Sequence, residues 1–141
     1  MIVVDASVVV KWFVPEVGDA PAKALLAAAD ALVAPELARV EVASALIRKG
    51  LRQELAGADV QRILRAWFGM LLEAQIVLLP NEDDIGAAAE LALQLQHPLP
   101  DCLYLALAER LGAALITADR QFARRAQSVS ERVQLLDQPG A

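Results

Sequence analysis

Five short apolar runs punctuate the chain: "IVV" at 2–4, "ALVA" at 31–34, "IVLL" at 76–79, "AALIT" at 113–117 and "VQLL" at 133–136. They are rich in β-branched residues or leucine and show little alternation of apolar with polar positions, which predicts strands covered on both faces. Between them lie longer stretches that read as helices, near 6–13, 20–29, 36–49, 57–73, 83–95, 101–111 and 120–126. Alternation of this kind predicts an α/β fold, a parallel sheet of about five strands with helices on both faces. The punctuation agrees: Pro21 follows Asp19 in a first turn, Glu82, Asp83 and Asp84 suit a helix start, and Gly50 and Gly112 follow helical runs. The closing "DQPGA" at 137–141 reads as a frayed end.

With 141 residues and neither a repeat nor a low-complexity linker, one domain over 1–141 is expected. Hydrophobic residues make up 57% of the chain, much of the excess being alanine, and charged residues 22%. No charge-free run approaches the ~18–20 residues that span a bilayer. The first apolar run is broken by Asp5 and Lys11 and has no basic segment before it, unlike a secretory signal. A lone cysteine, Cys102, offers no internal disulfide, so a cytoplasmic protein is expected. Cys102 and His97 together are too few for a thiolate or imidazole zinc site. The net charge of −5 argues at first sight against a nucleic-acid partner.

Four carboxylates stand in apolar settings. Asp5 follows the first strand directly, and Asp119 lies two residues past the fourth in "LITAD". Ligands of open parallel sheets bind outside the carboxyl ends of the strands, where the winding order reverses, so both aspartates are candidates for one crevice. Glu41 sits in "VEVASALI" with little room for a solvent face, and a buried carboxylate is costly unless paired or bound to a cation. Asp101 opens the apolar helix "DCLYLALAERLG" after Pro100. Each has a structural alternative: helix capping for the three aspartates, and an ion pair with Arg39 or Arg48 for Glu41. Taken together, four converging acids would raise one another's pKa unless a cation sat among them. All-oxygen ligands suit Mg²⁺ or Mn²⁺, and that pairing implies phosphodiester hydrolysis.

The stretches "VVDASVVVKW", "PELARVEVASAL" and "PDCLYLALAERLGAALITAD" resemble the motifs of PIN-domain ribonucleases, and most of all the VapC-type toxins of bacterial and archaeal toxin–antitoxin pairs. The resemblance covers nearly the whole chain. It implies a three-layer α/β/α domain that cleaves RNA with Mg²⁺ or Mn²⁺, a cognate antitoxin as partner and a homodimer. The acidic quartet of the family falls on Asp5, Glu41, Asp101 and Asp119, as metal ligands and catalytic groups. Ser7 and Thr117 match its accompanying hydroxyl residues, which orient a carboxylate or a water, against the alternatives of a helix cap and a strand end. Two departures are evident: Pro100 replaces the aromatic or small residue common before the third acid, and Phe122 stands where some members carry a further acid. The number of ions stays open.

The resemblance changes the meaning of the charge. With the quartet set aside the balance is −1, and two basic groups, Arg48, Lys49 and Arg52, then Arg120, Arg124 and Arg125, can hold phosphates or simply lie in solvent. Arg120 and Arg124 are the candidates for RNA contact. Trp12, Phe13, Trp67 and Phe68 read as core, with an apolar groove for an antitoxin helix as the alternative. His97 reads as a loop residue, and Cys102 and Tyr104 as packing. Other classes fit less well: a haloacid-dehalogenase-like phosphatase needs an acid at position 7, which is Ser7, and neither Gly-rich phosphate-binding motif is present. A non-toxin PIN nuclease of RNA processing and a non-enzymatic interaction domain with capping carboxylates remain as alternatives.

Overall fold

The computed structural model describes residues 1–28 and 31–137. Five strands, β1 (Ile2–Val4), β2 (Leu32–Pro35), β3 (Val77–Leu79), β4 (Ala114–Thr117) and β5 (Val133–Leu135), form one sheet in the order β3-β2-β1-β4-β5. Every pairing is parallel, so each connection is a crossover carrying helices. These are α1 (Ala6–Phe13), α2 (Asp19–Ala28), α3 (Ala38–Leu51), α4 (Gly57–Leu72), α5 (Ile85–Leu95), α6 (Leu99–Leu111) and α7 (Arg120–Gln127). The three-layer α/β/α architecture expected from the sequence is present. The last residue of the 20–29 helix and positions 138–141 of "DQPGA" lie outside the described residues. Asp137, the first residue of that ending, is held in an ion pair by Arg120.

The central position of β1 follows from its composition. Val3 and Val4 are fully buried, because helices cover both faces of the strand and neighbours pair both edges. The chain winds outward from β1 to β2 and β3, then returns to the other side of β1 for β4 and β5. The winding therefore reverses between β1 and β4, and the crevice at their carboxyl ends is the expected ligand position.

The helix α6 lies against β1, β2 and β4, with α5 packed on it. Seven successive residues, from Cys102 to Ala108, are buried, which explains why its sequence lacks an amphipathic rhythm: this helix is covered all round. It begins at Leu99, two residues before the expected start, because Pro98 occupies the cap and Pro100 is tolerated in the first turn, where its missing N–H is not needed. Gly112 then adopts a left-handed conformation (φ 64°) that turns the chain into β4. By contrast α4 buries one stripe, Val60, Ile63, Trp67 and Met70. Trp12 and Trp67 are core residues as expected, and Phe13 packs against the core. Phe68 departs from the expectation at 42% exposure, since one residue on from Trp67 turns it about 100° away from that side chain and off the buried stripe.

Candidate active site

The four acids belong to the starts of four different helices. Asp5 is the residue before α1, Glu41 and Asp101 lie in the first turns of α3 and α6, and Asp119 is the residue before α7. Exposed N–H groups and the positive end of the helix dipole moderate negative charge at each of these positions. All four line one cavity of about 350 Å³ at the carboxyl end of the sheet. Ser7, Ser44 and Arg48 line it as well. A second cavity, of about 600 Å³, opens beside Met1, Leu32 and Val77 at the amino ends of the strands and has no titratable side chain in its walls.

Asp5 is 5% exposed, and its side chain does not cap α1. Instead Oδ2 accepts from Ser7 Oγ at 2.6 Å and from Thr117 Oγ1 at 2.8 Å. The register explains the second bond: Val4 pairs with Ile116, so the next residues, Asp5 and Thr117, emerge side by side. Both hydroxyl protons are committed to Asp5, while Ser7 Oγ accepts from the Ala118 N–H and Thr117 Oγ1 from the Asp119 N–H. Ser7 and Thr117 thereby tie Asp5 to the end of β4. Burial pushes the Asp5 carboxyl up to about 6; the two hydroxyls oppose that rise, and the negative charges of Asp101 and Glu41 add to it.

Neither arginine suggested for Glu41 forms an ion pair with it among the described residues, although the Arg48 charge still acts on it. Arg39 pairs with Glu36 at 2.5 Å, one turn back on the outer surface. The partner of Glu41 is Tyr104, whose Oη donates to Oε1 at 2.6 Å. Burial, then the nearby Asp101 charge, raises the Glu41 pKa against the opposing effects of Tyr104 and Arg48. The phenol itself is held well above its ordinary pKa, by burial first and then by Asp5 and Glu41, so it stays protonated and remains a donor. The reading of Tyr104 as packing alone is thus corrected. Cys102 is buried, and burial pushes its thiol up to about 11, which keeps it out of thiolate chemistry.

Asp101 Oδ2 lies 2.6 Å from His97 Nε2. That histidine, read from sequence as a loop residue, is buried and touches a candidate acid. Asp119 does act as a cap: Oδ1 accepts from the Phe122 N–H at 3.0 Å. The Phe122 ring, at the position where some family members carry an acid, is fully buried and stacks on His97. In all four acids the hydrogen bonds made among the described residues fall on a single oxygen, leaving the second without a protein partner.

Arg120 and Arg124 begin and close one turn of α7 and so share a face, outside the walls of the acidic cavity. Arg48 is the guanidinium in those walls. Periodicity is the signal for the residues the sequence reading left out of the site: Ser44 follows Glu41 by three positions on α3, and Tyr104 follows Asp101 by three on α6.

Among the described residues, no three His, Cys, Asp or Glu side chains stand together as a ready ligand set for a metal ion. The donor chemistry nevertheless fits a hard divalent cation: carboxylate oxygens without partners, like charges sharing one cavity, and no soft ligand in its walls. Magnesium keeps several waters and is commonly held through one or two carboxylates, so a closed cage of three is not required.

A model of the PIN domain matches residues 2–127. Ribonuclease VapC9 of Mycobacterium tuberculosis is 34% identical over 128 residues, covering 91% of this chain and 93% of that protein. Ribonuclease VapC3 of Pyrobaculum aerophilum is 32% identical over 127 residues, covering 88% of this chain and 93% of the relative. The fold is shared with the crystal structure of PAE2754 from Pyrobaculum aerophilum, at a TM-score of 0.71 and 18% identity over 96% of this chain and 83% of that one. It is shared too with a toxin–antitoxin complex from Klebsiella pneumoniae, at a TM-score of 0.64 and 16% identity over 96% of this chain and 98% of that one. On the match over 2–127 and the identity to these ribonucleases, the chain belongs to the PIN-domain family.

Proposed function

We propose that this chain, as one domain over 1–141, is a Mg²⁺- or Mn²⁺-dependent endoribonuclease that hydrolyses RNA phosphodiester bonds as the toxin of a cytoplasmic toxin–antitoxin pair. The observation that carries the proposal is the convergence of Asp5, Glu41, Asp101 and Asp119 from four separate helix starts on one cavity at the reversal of the sheet. The names of the curated relatives, VapC ribonucleases at 32–34% identity, support RNA as the substrate.

In this reading the four acids would hold the cation through their unpartnered oxygens, one or two of them directly and the others through its waters. When bound, it would neutralise their charge, lower the pKa of water and stabilise the departing oxygen. Ser7 and Thr117 keep Asp5 oriented through Oδ2, and Tyr104 does the same for Glu41 through Oε1. Arg48, on the cavity wall, meets a phosphate of the substrate, and Arg120 and Arg124 meet the strand farther along α7.

Partner binding has its own support. Val40, Ile47 and Leu51 expose one face of α3 at 62%, 47% and 79%, and Phe68 and Leu72 expose a face of α4 at 42% and 89%. Apolar surface of this kind marks interaction sites, here the antitoxin and a second copy of the chain. No helix among the described residues is long and apolar enough to cross a membrane.

The test is cleavage of a structured RNA with Mg²⁺ or Mn²⁺ by wild type, Asp5→Asn and Asp101→Asn. Loss of activity in both variants is expected. Equal metal-dependent cleavage by all three overturns the assignment.

A further inference from the structure

His97 is the one histidine of the chain. It stands at the junction of α5 and α6, where Gln96 ends α5 in a left-handed conformation (φ 52°, ψ 49°) and Pro98 caps α6. The side chain is 5% exposed, so its two ring nitrogens must find protein partners. Nε2 meets Asp101 Oδ2 at 2.6 Å, and Nδ1 meets an Arg125 Nη at 3.0 Å, the same nitrogen that donates to Gln96 O at 3.2 Å.

These partners fix the tautomer. A guanidinium has donors and no acceptor, so Nδ1 must accept from Arg125. The ring proton is then on Nε2, which donates to Asp101 Oδ2 and leaves the other oxygen of that acid unpartnered. The opposite tautomer would set two donors against each other at Nδ1 and a lone pair against the carboxylate at Nε2. The ring also stacks on Phe122, with centroids 5.2 Å apart and planes 25° apart. Phe122 in turn is the residue whose N–H binds Asp119 Oδ1. One imidazole therefore touches the third acid directly and the fourth through a single packed residue.

We infer that His97, with its tautomer set by Arg125, is a positioning residue that holds Asp101 through Nε2–H and supports the α7 end carrying Asp119. The inference rests on the proposed role of these acids, which the experiment tests alongside it. The ring is a fixed donor to an acid and lies outside the walls of the acidic cavity.

The test compares wild type, His97→Gln, His97→Leu and Asp101→Asn. Glutamine keeps an N–H donor of similar reach, whereas leucine keeps apolar packing on Phe122 and removes the donor. In His97→Leu, kcat should fall about 10-fold or more with KM little changed, and Mn²⁺ affinity measured by calorimetry should weaken about 10- to 100-fold. His97→Gln should recover most of both. In metal-free wild-type protein, long-range ¹H–¹⁵N correlation should show a protonated Nε2 and an unprotonated Nδ1, and Arg125→Met should let the other tautomer appear. This readout needs neither RNA nor metal, and it decides the case should His97→Leu fail to fold. A protonated Nδ1 with a bare Nε2 in wild type overturns the inference. So does full activity and Mn²⁺ affinity in His97→Leu while Asp101→Asn is inactive, an outcome that leaves the nuclease reading intact. Equal activity of wild type and Asp101→Asn removes the nuclease reading instead, and the tautomer and Mn²⁺ titrations then decide whether His97 holds Asp101.

Discussion

Tyr104 on α6 donates its hydroxyl proton to Glu41 on α3 at 2.6 Å, joining two helices whose acids share a cavity although the residues lie 63 positions apart. Tyr104→Phe keeps the ring and removes this bond. It should cost ~1–2 kcal/mol of stability in a denaturant titration. Losing the donor also raises the Glu41 pKa further, so the acid limb of the pH–rate profile should move to higher pH. An unchanged limb would show that the ionised form of Glu41 is not needed.

The buried Asp5 gives the metal-free protein a pH dependence of definite sign. Its folded pKa of about 6 exceeds the unfolded value of 3.8, so between these values the native state binds the extra proton. Stability from this group is greatest below pH 4 and falls as pH rises toward 6, by up to ~3 kcal/mol for a shift of this size. Asp5→Asn removes that loss, and the metal-free variant should melt above wild type at pH 7.5. A lower melting temperature for Asp5→Asn would contradict the burial argument.

Mn²⁺ should reverse the order. A cation among the acids favours their charged forms, so adding Mn²⁺ raises the wild-type melting temperature and leaves Asp5→Asn and Asp101→Asn nearly unmoved. Thermal scans with and without chelator make the comparison. Equal shifts in all three would place any bound ion elsewhere.

Asp119 has a cap to lose as well as a charge. Asparagine also caps helices, so Asp119→Asn should keep stability and lose cleavage, whereas Asp119→Ala should lose cleavage and a further ~1 kcal/mol. Retained cleavage in Asp119→Asn would reduce this residue to its cap.

The arginines divide by position. Arg48→Gln should weaken RNA binding and lower the slope of affinity against salt by ~0.7, the value for one single-strand phosphate contact. Arg120→Ala combined with Arg124→Ala, removing two such contacts on α7, should lower the slope by ~1.4. If affinity and salt slope stay at wild-type values in the double variant, that helix lies outside the RNA path.

Much of this arrangement is legible in the sequence because burial on both faces of a strand and reversal at the sheet centre leave plain marks. Asp5 is conspicuous as a carboxylate between apolar runs, and the alternation of runs with helices suffices for the three layers. Contacts made across the sequence are harder to read. Nothing local says that the hydroxyl of Tyr104 is met by Glu41, because the pairing depends on where α3 and α6 come to lie. His97 stands four positions before Asp101, but it lies in the α5–α6 turn just ahead of the Pro98 cap, where the sequence does not show which way its ring faces. Aromatic character alone puts Phe68 in the core beside Trp67, yet neighbours on a helix point in different directions and only Trp67 lies on the buried stripe.

The bond from Thr117 to Asp5 spans 112 positions, and it forms only when β4 docks beside β1. Loop-closure entropy makes so distant a contact among the costlier ones to establish. A chain that has folded its local helices but not closed this seam has its acids dispersed and no pocket for a cation. On the nuclease reading proposed above, cleavage should therefore appear only with completion of the tertiary structure, leaving half-folded molecules inert.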